Sequence, residues 1–204
     1  MIEIKNLTVN YGLNTVYKNL DLTVEDKKIT CVLGESGCGK TTLLNAVAGL
    51  ISYDGTVSAV NPAYVFQTPR LLPYLTVLKN LTVVGADADA ALNMLERVGM
   101  GYKAGAYVHT LSGGEAQRVA LCRAFLFKSD ALLLDEPFSS LDLKTKISVM
   151  ELFKSLQSEN GLTTLFVTHD ADEAVFLADK IVVISRGKIS KTFENEKKPP
   201  YGAN

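Results

Sequence analysis

Ile2 to Val9 and Val16 to Val24 alternate apolar and polar side chains, the period of strands with one solvated face. Tyr11-Gly12 between them predicts a turn. Lys28-Ile29-Thr30-Cys31-Val32-Leu33 reads as a strand, and a glycine-rich loop separates it from a helix-like run, Thr42 to Leu50, that ends in turn-formers around Ser52 to Gly55. Gly55 to Val60 and Ala63 to Phe66 predict short strands divided by Asn61-Pro62. From Gln67 to Thr110 the character changes. Pro69 and Pro73 break the chain, Thr76 to Val84 lacks strand alternation, and Ala91, Leu92, Leu95 and Val98 share one face of a helix stopped by Gly99. This stretch predicts a mainly helical insert. Ser112 is placed to cap the next helix, which carries Val119, Leu121, Ala124 and Phe125.

Ala131 to Leu134 is a fully apolar strand ending in Asp135. A helix from about Asp142, a strand Thr163 to Val167, a helix Asp170 to Ala178 and a strand Lys180 to Ser185 complete an alternating pattern. Such alternation predicts an α/β fold with parallel strands and helices on both faces. Ligands in these sheets bind beyond the carboxyl ends of the strands. Leu33, Leu134 and Val167 each end a strand just before polar residues. The tail, Glu194 to Asn204, is charged and proline-bearing, and it reads as loose with no further domain.

At 204 residues the chain is long enough for one well-buried core. A hydrophobic content of 47% suits central strands buried on both faces. With 21 basic and 22 acidic residues the net charge is −1, which argues against broad electrostatic attraction to nucleic acid or acidic lipid. No run approaches the roughly 18 apolar residues of a membrane span, and the first residues alternate like a strand instead of forming a signal-peptide core. Cys31, Cys38 and Cys122 have no metal-ligand spacing and read as reduced thiols of a soluble intracellular protein.

The chemistry begins at Gly34-Glu35-Ser36-Gly37-Cys38-Gly39-Lys40-Thr41-Thr42, which fits G-x-x-x-x-G-K-[ST] in a strand–loop–helix setting. Glycines let the backbone fold tightly enough to aim several N–H groups at one anion, and the helix start adds partial positive charge. Lys40 is then placed for the β- and γ-phosphates of a nucleoside triphosphate, and the Thr41 hydroxyl for Mg²⁺. Asp135 and Glu136 lie together at a buried strand end. Asp135 suits the metal, and Glu136 suits the orientation and deprotonation of water. Leu111-Ser112-Gly113-Gly114-Glu115-Ala116-Gln117-Arg118 is a second glycine-paired turn opening a helix, hence a second anion cradle. One triphosphate rarely needs two cradles from one chain, which suggests that a second copy's nucleotide is gripped across an interface.

Gly34 to Thr41, Leu111 to Gln117 and Leu132 to Glu136 resemble the Walker A, signature and Walker B motifs of the ATP-binding cassette ATPases, and the resemblance covers nearly the whole chain. Ser139-Ser140-Leu141-Asp142 is similar to the D-loop, Gln67 to the Q-loop glutamine, His169 to the switch histidine and Tyr11 to the aromatic A-loop residue. The fold implied is a P-loop core with a mainly parallel sheet, an antiparallel β-subdomain and a short helical insert at about 68–128, all within a single 1–204 domain. The assembly implied is a homodimer in which the Walker A loop of one chain and Ser112, Gly113 and Gly114 of the other enclose each ATP. Glu136 is then the general base and His169 a γ-phosphate contact. Gln67 is a further Mg²⁺ ligand and Asp142 and Glu115 belong to the nucleotide site. Tyr11 as a core-boundary tyrosine and Gln67 as a plain turn residue are the alternatives. His109 reads as structural, and Arg123 and Lys128 as helix-solvating charges.

Tyr64 to Val77 resembles the ATPase subunits of nitrate/sulfonate/taurine-type importers, a group that includes importers of thiamine-precursor pyrimidines. The resemblance implies transmembrane permease subunits, an extracytoplasmic substrate-binding protein, a peripheral place on the cytoplasmic face of the membrane, and no nucleic-acid partner. Leu71, Leu72, Tyr74 and Leu75 around Arg70 would suit a groove for a short permease helix. Two features depart from that group: the insert between Gln67 and Ser112 is short, and the chain stops soon after its last strand. An exporter or lipoprotein-release ATPase shares every catalytic motif and stays open, as does a cassette protein without a transport role.

Overall fold

The computed structural model describes residues 1–58 and 60–195. The looseness expected of the proline-bearing tail falls, from residue 196 on, outside the described residues. In chain order the strands are β1 (Ile2–Tyr11), β2 (Asn14–Val24), β3 (Ile29–Leu33), β4 (Asp54–Val57), β5 (Pro62–Val65), β6 (Ala131–Asp135), β7 (Thr163–Thr168), β8 (Lys180–Ser185) and β9 (Lys188–Glu194). The α-helices are α1 (Lys40–Val47), α2 (Val77–Thr82), α3 (Ala88–Arg97), α4 (Gly113–Leu126), α5 (Leu143–Asn160) and α6 (Ala171–Leu177). They divide between two compact units. One comprises Met1–Tyr64, Asp130–Glu136 and the described part of Gly161–Asn204, and the other Val65–Ser129 and Pro137–Asn160.

The first unit holds two sheets. A three-stranded sheet has the order β2-β1-β4, antiparallel in both pairings. Its inward residues, Ile2, Ile4, Leu7 and Val9, change parity between Ile4 and Leu7. The cause is a bulge: Asn6 takes a φ of 52°, its N–H donates to Asp21 Oδ1 at 2.7 Å, and the register shifts there. The second sheet has the order β5-β6-β7-β3-β8-β9, with β3, β6, β7 and β8 paired in parallel. Every residue of β6 and β7 is buried, which explains the unbroken apolar run Ala131 to Leu134 and the apolar centre of β7, Leu165 to Val167. Full burial of a side chain such as Leu133 stabilises the unit by roughly 1.5–3 kcal/mol. Leu43 and Leu44 of α1 pack into the same core as Ile4, Leu7, Leu133 and Val167.

The α/β fold with a mainly parallel sheet and a separate antiparallel sheet is borne out. One strand escapes the hydrophobic pattern. β9 is antiparallel to β8 and forms the edge, with Ile189 half-buried and its other residues exposed. It follows a two-residue turn in which Arg186 and Gly187 both have positive φ, 48° and 71°, the geometry of a tight hairpin.

In the second unit the run 76–84, which lacks alternation, contains α2. Thr76 Oγ1 caps it by accepting from Lys79 N–H. The fully buried Asn80 then ties α2 to the preceding loop: its side chain accepts from Leu72 N–H and donates to the carbonyls of Leu72, Leu75 and Thr76. α4 packs against α2, α3 and α5. Arg123 differs from the solvated charge expected of it. Its guanidinium is half-buried and donates to the carbonyl of Arg70 at 2.7 Å. Arg70 in turn stands 3.9 Å over the Phe66 ring.

Candidate active site

The glycine-rich loop is held at both ends. At its start Gly34 N–H donates to the carbonyl of Thr168 at 3.3 Å. At its end Gly39 has a φ of 105°, and any Cβ there would lie 2.7 Å from Val16 Cγ1, so only glycine fits. Gly39 is the N-cap of α1 yet has no side-chain cap, and the first turn carries no acidic residue. Leu43 is the first residue to donate to a helical carbonyl, that of Gly39, at 3.0 Å. The N–H groups of Lys40, Thr41 and Thr42 therefore precede the helical ladder and point out of its positive end. The loop residues 34–38, with Val183, Ile184, Ser185 and Arg186, line a cleft of about 480 Å³.

Lys40 is buried, and its Nζ donates to the carbonyls of Gly34 and Glu35 at 2.9 and 3.0 Å. The same ammonium lies 3.2 Å from Glu136 Oε1. Glu136 follows β6 with a φ of 42°, a strained conformation for a non-glycine residue, and its N–H is held by the carbonyl of Val167 at 3.0 Å. Its other oxygen, Oε2, is 2.9 Å from His169 Nδ1. With Glu136 ionised, this bond requires a proton on Nδ1. One carboxylate thus joins the loop lysine to the histidine.

Beside it, Thr41 Oγ1 donates to Asp135 Oδ1 at 3.1 Å, and the Tyr64 hydroxyl lies 3.4 Å from Asp135 Oδ2 and 3.2 Å from Asn45 Oδ1. Burial raises the Asp135 carboxyl above the ordinary range, the bond from Thr41 opposes this, and the charge of Glu136 adds to the rise. A hydroxyl and a carboxylate in contact form a hard-oxygen donor pair suited to Mg²⁺, and a cation there would offset the burial of the charge.

The first unit therefore brings together Gly34 to Thr42, Asp135, Glu136 and His169. Tyr11, in the same unit, ends β1 beside the hairpin turn and is 51% exposed, so its ring is not part of the core. The remaining residues singled out in the sequence lie in the second unit. Gln67 Nε2 donates to Ser139 Oγ at 3.2 Å. Asp142 Oδ1 accepts from Thr145 N–H at 3.1 Å, and hydrogen bonding from the Thr145 side chain, then from this N–H, holds its carboxyl below the ordinary range. Ser112 caps α4 reciprocally: its Oγ accepts from Glu115 N–H at 3.3 Å, and Glu115 Oε2 accepts from Ser112 N–H at 2.8 Å. Lys103 and Tyr102 bond the same carboxylate. Led by the Lys103 bond, these contacts hold Glu115 down to about 2. Any Cβ on Gly114 would come within 2.3 Å of Thr145, so α4 meets α5 closely there.

Sequence reasoning did not single out Asn45, Tyr64 or Thr168. No local motif marks them, because each acts through a partner distant in the chain or through a backbone carbonyl.

Residues 17–139 match the ABC transporter family. The chain is 43% identical to the aliphatic sulfonates import ATP-binding protein SsuB of Mycobacterium sp. (strain MCS), over 93% of this chain and 82% of that one. The corresponding SsuB 1 of Paracoccus denitrificans (strain Pd 1222) is also 43% identical, over 93% and 81% of the two chains. Among solved structures, the ATP-binding cassette MJ0796, a dimer in a post-hydrolysis state bound to ADP and Pi, superposes with a TM-score of 0.83 at 29% identity, covering 95% of this chain and 98% of that one.

Proposed function

From the premise that this chain belongs to the ABC transporter family and is an ATP-hydrolysing cassette, we propose that it powers import of a small anionic solute of the aliphatic sulfonate class. The observation that carries the catalytic part is the convergence of Lys40, Thr41, Asp135, Glu136 and His169 where β3, β6 and β7 end. The importer part is supported by relatives at 43% identity whose names specify sulfonate import.

In this reading the open amides at the start of α1 bind the triphosphate, and Lys40 exchanges the carbonyls of Gly34 and Glu35 for the β- and γ-phosphates. Thr41 and Asp135 would hold Mg²⁺, which would supply positive charge against the phosphates there. Glu136, once Lys40 turns to the phosphates, accepts the proton of the attacking water. His169 holds the Glu136 carboxylate in place through Nδ1. Ser112, Gly113 and Gly114 of a second copy close over the nucleotide, and ATP binding draws the two copies together. The roles implied for Tyr11, Gln67 and Asp142 belong to the same reading. Work is delivered to permease subunits at the cytoplasmic face of the membrane, served by an extracytoplasmic binding protein. Among the described residues no helix is long and apolar enough to cross a membrane.

Glu136→Gln tests this. It should lower turnover at least about a hundredfold while ATP binding persists, so that a dimer accumulates with Mg-ATP in light scattering. Wild-type turnover in the variant would remove Glu136 from the base role. In cells, loss of the chain should abolish uptake of an aliphatic sulfonate. The wild type should restore it and Glu136→Gln should not.

A further inference from the structure

We infer that Glu173 is a positioning residue of the hydrolytic site, acting through Thr168 on the strand end that carries His169. The inference rests on the catalytic reading proposed above. Three elements of the site are tied to one short run at the end of β7. Glu136 N–H donates to the carbonyl of Val167 at 3.0 Å, and Gly34 N–H donates to that of Thr168 at 3.3 Å. His169 Nδ1 bonds Glu136 Oε2 at 2.9 Å. The run 167–169 therefore sets the base, the phosphate loop and the histidine relative to one another.

What fixes this run is the side chain of Thr168, which is 1% exposed. Its Oγ1 accepts from Asp170 N–H at 3.1 Å, a bond that closes around His169 from the residue before it to the residue after it. The hydroxyl's single proton is left for another acceptor. That acceptor is Glu173 Oε2, at 2.7 Å. Glu173 is also 1% exposed, on α6, whose start is capped by Asp170 Oδ1 accepting from the N–H groups of Asp172 and Glu173 at 2.9 and 3.3 Å. Burial of a carboxyl group carries a solvation cost that an apolar residue on this inward face of α6 would avoid. The gain is at the strand end. With Glu173 in place the Thr168 hydroxyl has one orientation, and His169 cannot rotate its backbone without breaking the bond that closes around it. Glu173 touches no reacting atom, so its influence on turnover passes through Thr168.

The chain has two histidines, His109 and His169, so their ring Cε1–H resonances can be followed in the whole protein, with His109→Gln assigning the pair. Glu173→Ala and Thr168→Val should each lower kcat about tenfold with the KM for Mg-ATP within about twofold, as expected for a misplaced catalytic group. Each should also move the His169 resonance and leave that of His109 in place. Glu173→Gln, which keeps an acceptor oxygen, should behave as wild type in both respects. An unmoved His169 resonance overturns the inference whatever the rate. So does a moved resonance with wild-type kcat, a parallel loss of nucleotide affinity, or a Glu173→Gln variant as impaired as the alanine. Should Glu173→Ala fail to fold, Thr168→Val and Glu173→Gln decide the matter alone. The resonance is read without turnover, so this result stays distinct from failure of Glu136 as the base.

Discussion

Two helices of this chain begin at glycine-rich turns, and they begin in opposite ways. α1 has Gly39 at its N-cap, no side-chain cap and no acid in its first turn. α4 has Ser112 at its N-cap in a complete capping box, with the Glu115 carboxylate on the Ser112 N–H. One helix start leaves its amides for an anion from outside, and the other has built an anion in. Both sequences have the pattern of anion cradles. The difference lies in which donors remain: at α4 the Glu115 N–H is bonded to the Ser112 hydroxyl oxygen, so Gly113 and Gly114 N–H and the hydroxyl proton are what it can offer. α1 is suited to bind a nucleotide by itself. α4 is suited to close over one that is already neutralised by another loop.

The largest consequence concerns α1. Lys40→Ala removes the buried ammonium at the open start and leaves Glu136 with its bond to His169. ATP affinity should fall by about a hundredfold or more, measured by calorimetry on the isolated chain. Undiminished affinity would mean that the loop amides suffice and that Lys40 serves Glu136 alone.

A smaller effect is expected at α4. Ser112→Ala removes a cap and should destabilise by about 1 kcal/mol, lowering Tm by roughly 2–4 °C, while ATP binding to the monomer stays unchanged. A loss of monomer affinity would erase the distinction between the two helix starts.

The smallest is a pH effect. Glu115 has a folded pKa of about 2 against an ordinary 4.5, so its contribution is full above the ordinary value and fades as pH falls towards the folded one. The stability gap between wild type and Glu115→Gln, about 1 kcal/mol or less at neutral pH by denaturant titration, should narrow as pH drops from about 5 towards 2. A gap that widens in acid would reverse the assigned sign.

Much of the site was legible because it is local in sequence. The loop from Gly34 to Thr42 and the Asp135-Glu136 pair each sit within a few residues, and strand periodicity placed them at strand ends. The Ser112 cap was legible for the same reason, since its partner is three residues away. What could not be read is non-local or weakly patterned. The Tyr64 to Asp135 contact joins positions 71 apart. The Lys40 to Glu136 pair depends on β3 and β6 each being parallel to β7 between them, an order periodicity does not encode. β9 went unread because it is an edge strand, where exposure on both faces erases the alternation that marks a half-buried one. The half-buried place of Arg123 was missed because its partner is a backbone carbonyl, which has no identity in sequence.

A split catalytic centre is tested most directly by mixing two dead chains. Lys40→Ala disables the open helix start and Ser112→Arg blocks the capped one, so neither homodimer has an intact site. A mixed dimer places the wild-type loop of the Ser112→Arg chain against the wild-type turn of the Lys40→Ala chain, and it should recover measurable ATP hydrolysis that neither variant shows alone. A mixture as inactive as its parents, with mixed dimers demonstrated by mass, would contradict a site shared between two copies.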